Sequence, residues 1–325
     1  MGGALSRPAT ASPAARVLAC VLACVLACMW RDTLPAVAAS SAGTLITVAP
    51  TGAETAKADA PALPVTLAEL VADAQACQAE GAGLVHVHVR DEAAVPTLDP
   101  GRLRDTVQAL REATDLVVQL STGGAVTDLE AARLAVLDAQ PDSASCSMGT
   151  LNFGDDVFTN RWSFIVELHG RMRDRGIGAE YELFDLGHVS ALHRLLDRHG
   201  PPAGGHVHCD LVMGVPGGMP GTAAALVAAV AALPAGATWS ATGVGRSTLP
   251  VALAALSAGG HLRVGMEDTL SIAPGVPTTG NPELVRRAAD LARLAQRPPL
   301  TPAQAHGMLG VPAAPASPVR PTPLG

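Results

Sequence analysis

Aromatic residues and lysine are scarce in this chain of 325 residues. Aromatics make up 2% of the sequence, and Lys57 is its only lysine. With so few rings, the chain lacks the stacking surfaces on which single-stranded nucleic acids are bound. A net charge of −7, with no basic cluster, also argues against a nucleic-acid partner. We therefore do not expect nucleic acid to be the main partner.

Cysteine pairs at metal-binding or redox spacing are also missing. Three of the six cysteines, Cys20, Cys24 and Cys28, lie in an apolar N-terminal stretch, and the other three are isolated. Without a CxxC pair, neither a zinc ribbon nor a disulfide framework is indicated. This cysteine usage is typical of a reduced intracellular protein, so we expect a cytoplasmic location.

The two ends of the chain differ in composition from its body. Residues 1–43 contain the apolar run VLACVLACVLACMW (17–30) followed by small residues, which is the outline of a secretory signal. The run is too short for a comfortable membrane span, and Arg31 and Asp32 interrupt the path to a cleavage site. We interpret 1–43 as a low-complexity extension, either signal-like or mis-started, and expect no membrane partner. Residues 311–325 are rich in proline and alanine and are expected to be disordered.

Between residues 44 and 310, short β-branched runs alternate with helical segments. Eight strands separated by helices predict an α/β fold of the (β/α)8 TIM-barrel type, forming one catalytic domain. An open doubly wound sheet is the rival, but no GxGxxG follows the first strand, which disfavours a dinucleotide fold. The predicted strands lie near residues 44–48, 83–88, 116–120, 143–147, 179–184, 206–213, 237–242 and 261–265.

Capping residues mark several predicted helix starts. The stretches TLAE (66–69) and TDLE (127–130) each place a threonine three residues before a glutamate, which is the spacing of a capping box. Asp99–Pro100 and Asn281–Pro282 each supply a cap followed by proline at the first helical position. Four helix N-termini are therefore predicted from local sequence.

The second predicted strand, in GLVHVHVRD (83–91), carries polar residues among apolar ones. Because side chains alternate along a strand, His86, His88 and Arg90 are expected on one face. In a closed barrel the second and eighth strands both flank the first, so Glu267, after the eighth strand, can reach the two histidines. Two histidines and a carboxylate with an open position suit a catalytic Zn²⁺ or a similar divalent ion. The alternative is that both histidines are satisfied core residues.

A second HxH pair is formed by His206 and His208. It begins the sixth strand, so it is expected near the bottom of the barrel, where residues generally serve stability. The adjacent Cys209 is expected to be a small buried hydrophobe. We do not expect this pair to bind metal.

The single lysine separates two classes of carbon–carbon chemistry. A Schiff-base mechanism needs a lysine close to the substrate carbonyl, on an inner strand. Lys57 follows Glu54 in a loop, so imine chemistry is disfavoured. A metal ion that acts as a Lewis acid on a carbonyl oxygen is the alternative that remains.

Arg263 and Asp268 flank the predicted metal ligand Glu267. Arg263 shares the strand parity of the barrel interior, where it either holds a substrate carboxylate or pairs with a buried acid. Asp268 is either a general base or a cap for the segment that follows. Spacing alone leaves both choices open.

Nine stretches along the body share one resemblance. They are, in chain order, ITVAPTGAE, HVHVRD, PTLDP, QLSTGG, GTLNFGDDVF, FDLGH, GVPGGMP, GVGRSTLP and RVGMED. In these motifs the sequence resembles the β-keto acid cleavage enzymes, the family of the 3-keto-5-aminohexanoate cleavage enzyme. The resemblance implies an oligomeric TIM barrel that condenses a small β-keto acid with acetyl-CoA, giving acetoacetate and a new acyl-CoA.

The resemblance also implies which residues are catalytic. The residues that match the family's zinc ligands are His86, His88 and Glu267. The residues that match its catalytic positions are Glu54, Ser121, Arg263 and Asp268. Among these four, the aspartate is expected to act as the base and the arginine to support it electrostatically.

Substrate contacts are expected beside the catalytic residues. The STGG motif after the third strand supplies Thr122, Gly123 and Gly124, and Arg90 follows the HxH pair. Where the family commonly reads EDN, this chain has Thr269, a departure expected to affect either the support of the preceding carboxylates or the fit of the substrate.

Two other functions stay open at this point. One is a metal-dependent hydrolase or carbon–carbon lyase that uses zinc-bound water, and the other is a binding protein without catalysis. For a keto acid, the mostly small and apolar loops 55–64 and 269–280 predict either a neutral substrate tail or an anionic one that reaches Lys57.

Overall fold

The computed structural model describes residues 43–312. The predictions of a low-complexity N-terminal extension and of a disordered C-terminal tail lie outside the described residues, apart from Gly43 and residues 311–312 at their inner edges.

Eight parallel strands close into a barrel, as the sequence predicts. All the strands, in chain order, are β1 (Ile46–Val48), β2 (Leu84–Val87), β3 (Val117–Leu120), β4 (Ser143–Ser147), β5 (Leu151–Phe153), β6 (Asp156–Phe158), β7 (Gly178–Leu183), β8 (His208–Met213), β9 (Thr238–Gly243), β10 (His261–Val264), β11 (Ser271–Ala273) and β12 (Val276–Pro277). Around the barrel the order is β1-β10-β9-β8-β7-β4-β3-β2, while β5–β6 and β11–β12 form two small antiparallel pairs. Each barrel strand falls within two residues of a predicted one, and the (β/α)8 fold is confirmed.

Helices surround the barrel and bury its outer face. They are α1 (Leu67–Glu80), α2 (Pro100–Ala113), α3 (Glu130–Ala135), α4 (Trp162–Arg175), α5 (Leu186–His199), α6 (Ala223–Ala232), α7 (Thr248–Ser257), α8 (Asn281–Leu294) and α9 (Pro302–Leu309). The main hydrophobic core lies between these helices and the outward-facing strand residues. Within residues 43–312, each helix is either too short or too polar to cross a bilayer.

Two of the predicted caps occur at the expected positions. Thr66 and Glu69 form a complete capping box at the start of α1. The carboxylate of Asp99 accepts a hydrogen bond from the Arg102 amide at 2.9 Å, and Pro100 opens α2. Both signals are local, since each cap and its partner lie within three residues of one another.

The other two predicted caps are wrong. Helix α3 begins at Glu130 after Leu129, without a side-chain cap, so TDLE does not form a capping box. Helix α8 is preceded by Gly280, and Asn281 makes long-range bonds instead. Its Oδ1 accepts from the Met266 amide at 2.7 Å and its Nδ2 donates to the Pro50 carbonyl at 3.1 Å. Asn281 therefore ties the loop after β10 to the loop after β1, a use that local sequence does not reveal.

The lumen of the barrel is polar along most of its length. TIM-barrel interiors are usually filled by bulky branched side chains. Here apolar packing closes only the lower end, where Leu45, Leu84 and Val117 meet Leu300 and α9. The buried polar side chains carried by the barrel strands above them include Thr47, His86, Gln119, Ser143, Ser145, Glu180, Glu182, His208, Asp210, Ser240, Thr242, His261 and Arg263. A charged network therefore reaches the mouth at the carboxyl ends of the strands.

Candidate metal centre and active site

His86, His88 and Glu267 converge at the mouth of the barrel. Their ligand atoms all lie within 4.8 Å of one another. The Nε2 atoms of His86 and His88 lie 3.8 and 3.5 Å from Glu267 Oε1. Strand β1 separates β2 from β10, and the Glu267 amide donates to the Ala49 carbonyl at 3.1 Å, which brings the carboxylate across to the histidines. Two ligand atoms that are each about 2 Å from one ion lie at most about 4 Å apart, so the 3.8 and 3.5 Å separations fit a shared ion.

The bonding state of His86 fits a metal ligand. Its Nδ1 lies 2.5 Å from Gln119 Oε1, and an amide oxygen can only accept, so Nδ1 carries the proton. Its Nε2 is buried and has no hydrogen-bond partner. Burial and the nearby Arg263 lower the pKa of His86, which keeps the imidazole neutral and its Nε2 lone pair available. A satisfied core histidine would not leave this atom bare, because an unpaired buried polar atom is costly.

The third ligand is held in its charged form. Burial by itself would raise the pKa of Glu267, but the positive charge of Arg263 is the largest effect that lowers it, well below its usual range. Arg263 Nη2 donates to Glu267 Oε1 at 2.5 Å, while the buried Oε2 has no partner. An anionic carboxylate beside the two imidazoles completes a donor set of two nitrogens and one oxygen, which suits zinc.

Arg263 is buried among four acids. Its Nε and Nη2 contact the two carboxylate oxygens of Asp268 at 3.2 Å each. Its Nη1 lies 3.4 Å from Glu182 and 3.9 Å from Asp210. Arg263 therefore pairs with buried acids, and it also lines the cavity described below.

Asp268 combines burial with a strong charge partner. Burial raises its pKa to about 6, with Arg263 opposing the rise and Glu267 adding to it. A carboxyl group with such a pKa gives up and takes back a proton near neutral pH, as a general base must. Its oxygens face Arg263 and do not cap a following helix.

A cavity of about 260 Å³ opens beside these groups. Its lining includes the predicted residues Glu54, His88, Ser121, Gly123, Gly124, Arg263, Glu267 and Asp268. The rest of its wall consists of Gly52, Ala53, Thr55, Val126, Phe153, Phe158, Glu182, Phe184, Val212, Val215 and Val244. His86 is 1% exposed and does not line the cavity.

Two predicted substrate contacts do not line this cavity. Thr122 is buried, and its hydroxyl donates to the Ser145 carbonyl at 2.9 Å. Arg90 lies three residues beyond the end of β2 and is absent from the cavity lining. It donates to the carbonyls of Gly52 and Thr55 at 2.9 and 2.7 Å and holds the loop that carries Glu54.

Several residues of the site are not predicted from the sequence. Glu182 lines the cavity and accepts from Ser147 at 2.7 Å as well as contacting Arg263. The sequence does contain a signal for Glu182. The stretch EYEL places Glu180 and Glu182 on one face of a strand, as HVHV does for the histidines. The support of His86 by Gln119 has no such signal, because it depends on the register of β2 against β3.

Thr269, the departure from the EDN pattern, turns away from the carboxylates. Its hydroxyl exchanges contacts with the backbone of Ser271, at 3.3 Å from the amide and 3.4 Å from the carbonyl. The side chain is buried. It therefore shapes the turn after Asp268 and makes no direct contact with the acids.

The second HxH pair lies where the sequence places it, at the lower end of β8. His208 Nε2 lies 3.4 Å from Glu180, and both His206 and His208 contact the Thr238 hydroxyl, at 2.7 and 2.8 Å. Among residues 43–312, the one group of three potential ligands close enough to share a metal is the cluster at the mouth.

Comparison with known proteins places the chain in a family. The family model described as beta-keto acid cleavage enzyme matches residues 44–311. The 3-keto-5-aminohexanoate cleavage enzyme of Acetoanaerobium sticklandii is 36% identical over 273 residues, covering 82% of this chain and 98% of that protein. The 3-oxoadipate:acetyl-CoA acetyltransferase of Cupriavidus necator is 34% identical over 272 residues, covering 82% and 95%.

A solved structure supports the architecture alone. The apo structure of ObcA matches with a TM-score of 0.65 at 21% identity, covering 77% of this chain and 66% of that one. The resemblance inferred from nine motifs is thus confirmed over the whole barrel. The chain belongs to the β-keto acid cleavage enzyme family.

Proposed function

We propose that this protein is a zinc-dependent enzyme that condenses a β-keto acid with acetyl-CoA, giving acetoacetate and a new acyl-CoA. The observation that carries the proposal is one cavity lined both by His88 and Glu267 of the three-residue cluster and by the paired Arg263 and Asp268. The related protein of Cupriavidus necator is named for a reaction of a β-keto acid with acetyl-CoA. Bound zinc would supply a Lewis acid for the ketone oxygen.

The overall reaction balances without water. The substrate R–CO–CH₂–COO⁻ and CH₃–CO–S-CoA become R–CO–S-CoA and CH₃–CO–CH₂–COO⁻. The two-carbon unit moves from one acyl group to the other, and the CoA thiolate moves in the opposite direction. A hydrolase would instead consume water and leave the thioester untouched, which makes the two functions separable by experiment.

In this proposal Asp268 removes the first proton. The carbon between ketone and carboxylate is the acidic position of a β-keto acid, and a carboxylate with a pKa of about 6 is matched to that task near neutral pH. Arg263 fixes the orientation of Asp268 and stabilises its charge. Glu182 and Asp210 hold Arg263 from its other side.

Ser121 is assigned to bind the substrate. Its oxygen accepts from the Gly123 amide at 3.1 Å, which leaves the hydroxyl proton free to donate into the cavity. Gly123 and Gly124 let the backbone line the cavity closely. Glu54 stands at the rim, on the loop that Arg90 fastens. Arg90 and Thr122 are thereby assigned to support, and not to direct contact with substrate.

The test is an acetoacetate assay with purified, zinc-loaded protein. Acetoacetate should form from a β-keto acid only when acetyl-CoA is present, together with one equivalent of the new acyl-CoA. Consumption of the keto acid at the same rate without acetyl-CoA would point to the hydrolase. A lack of zinc binding, together with no keto acid altering the melting temperature, would remove the metal centre and the proposal with it.

Assembly and location are further parts of the proposal. We propose a homo-oligomer, and the partly exposed Leu249 and Leu253 on one face of α7 supply apolar surface for contact between copies. A cytoplasmic location remains the expectation from cysteine usage, and the buried, unpaired thiols of Cys77, Cys146 and Cys209 are compatible with it.

A further inference from the structure

The cavity has two chemically different halves. The metal cluster, Arg263, Asp268 and Glu54 occupy the side over β1, β2 and β10. The other side, over β4 to β9, is an apolar wall formed by Phe153, Phe158, Phe184, Val212, Val215 and Val244. A substrate with its charged head at the metal cluster would have this apolar wall on the other side of the cavity.

Most of the few phenylalanines in the chain belong to this apolar wall. Three of the four phenylalanines in the sequence belong to it. The ring of Phe153 lies with its centroid 6.2 Å from that of Phe158 and 6.4 Å from that of Phe184, in edge-to-face contact with both. Phe158 and Phe184 are 8% and 5% exposed, so the rings form a packed surface and not a mobile fringe.

Among residues 43–312, the side chains that form this wall carry no charge. Glu182 lines the cavity beneath it but faces Arg263 and Ser147. Arg133 lies behind Phe158, 4.8 Å from its ring centroid, and its Nε, Nη1 and Nη2 donate to Thr122, Thr159 and Asn160. An ionic tail at the wall would therefore be desolvated without a partner.

Lys57 is not placed to form an ion pair with an anionic substrate tail. Its ammonium group donates to Glu69 at 2.5 Å and to the Leu63 carbonyl at 2.9 Å, and it does not line the cavity. Of the two tails that the loop composition left open, the structure thus favours the neutral one.

We propose that the enzyme is specific for β-keto acids whose group beyond the ketone is uncharged and apolar. This inference rests on the proposed function and narrows its substrate class. The names of the relatives in Acetoanaerobium sticklandii and Cupriavidus necator refer to substrates with an amino group and with a second carboxylate. The apolar wall makes this chain select against both kinds of tail.

The test compares charged substrates with neutral ones of the same shape. In 5-methyl-3-oxohexanoate a methyl group replaces the ammonium of 3-keto-5-aminohexanoate, and in 6-methyl-3-oxoheptanoate an isopropyl group replaces the distal carboxylate of 3-oxoadipate. With zinc-loaded enzyme and acetyl-CoA, kcat/KM for each neutral substrate should exceed that of its charged partner by at least about 100-fold. Equal or higher values for the charged substrates would overturn the inference.

The outcomes for the two proposals can be told apart. If none of the four acids yields acetoacetate from acetyl-CoA, the proposed function is wrong. If acetoacetate forms best from a charged acid, the function stands and the apolar specificity is wrong.

Variants on the hairpin β5–β6 test the wall directly. Phe153→Ala should lower kcat/KM for 5-methyl-3-oxohexanoate about 10-fold and leave KM for acetyl-CoA unchanged. Val157→Ala is the matched control, because Val157 is on the same hairpin, 52% exposed and outside the cavity lining. A rise in KM for acetyl-CoA with an unaltered tail preference would assign the wall to the thioester and overturn the proposal.

A second variant introduces a positive charge at the apolar wall. Val244 is half-buried at the cavity wall, just after β9, where a lysine can keep its ammonium in water. Val244→Lys should raise the ratio of kcat/KM for 3-oxoadipate over 6-methyl-3-oxoheptanoate at least about 10-fold. An unchanged ratio in a variant that melts like the parent would contradict a tail bound at this wall.

Discussion

The guanidinium of Arg263 contacts both carboxylate oxygens of Asp268, at 3.2 Å from Nε and 3.2 Å from Nη2. Two parallel contacts fix the plane of the carboxylate, which a single point charge does not. The same guanidinium reaches Glu267, so the proposed base and the proposed metal ligand share one cation. Arg263 therefore connects the carboxylate proposed for proton transfer to the carboxylate proposed for metal binding.

Removal of the basic carboxylate should separate these two functions. Asp268→Asn keeps the size of the side chain but cannot accept a proton, so kcat should fall by about 10²–10⁴-fold. Zinc content should stay at the level of the parent, because Asp268 is not one of the three clustered ligands. Steady-state kinetics and metal analysis on the same preparation check this, and a zinc-replete, fully active variant would remove Asp268 from the proposed role.

The absence of a side chain at Gly52 leaves room for the side chain of Glu267. Its φ is +64°, and a Cβ added there would lie 2.7 Å from Glu267 Cγ. Gly52→Ala should therefore push Glu267 away from the histidines and weaken zinc binding at least about 10-fold. The measurement is zinc affinity by competition with a chelator.

Gly154→Ala is the matched control for Gly52→Ala. Gly154 also has a φ of +64°, so the backbone strain of an alanine is the same, but nothing lies within 4 Å of the added Cβ. Zinc affinity should be unchanged in this variant. Equal loss of affinity in both variants would mean that strain, and not displacement of Glu267, is responsible.

Gln119 should tune the metal site through His86. Gln119→Leu removes the acceptor for the Nδ1 proton of His86, and such a loss of an outer partner typically weakens metal binding about 10–100-fold. Gln119→Glu keeps an oxygen acceptor and should retain most of the affinity. Isothermal titration with zinc distinguishes the two variants, and equal affinities in the parent and Gln119→Leu would exclude the proposed support.

His261 should make the fold sensitive to acid. Its Nδ1 accepts the Leu45 amide proton at 3.0 Å, and burial, followed by the nearby His208, Arg297 and His206, lowers its pKa to about 3. Below the unfolded pKa of about 6.5, the unfolded chain binds a proton that the folded state excludes. Stability present above pH 6.5 is therefore lost as the pH falls toward 3, by about 2 kcal/mol at pH 5 from this group.

Urea unfolding at pH 7.5 and at pH 5 measures this loss. His261→Asn retains an acceptor near the position of Nδ1 and does not titrate, so its stability should fall less between the two pH values, by about 2 kcal/mol. An identical fall in the parent and the variant would show that His261 is not responsible.

Sequence determined the features that depend on neighbours along the chain. The strand positions, the capping box of Thr66 and Glu69 and the Asp99 cap were all predicted, because each depends on side-chain alternation or on partners within a few residues. The convergence of His86, His88 and Glu267 was also predictable, since a closed barrel brings the ends of its second and last strands together.

Tertiary structure alone decided which side chains face one another across the barrel. Asn281 bridges two loops instead of capping its helix, Arg90 holds the Glu54 loop instead of facing the cavity, and Lys57 is bound to Glu69. Glu182 joined Arg263, and three separated phenylalanines became one wall. These contacts join residues far apart in sequence, and their partners are set by strand register and loop packing. No local sequence pattern encodes these long-range contacts. They are formed only when the barrel closes and its loops pack.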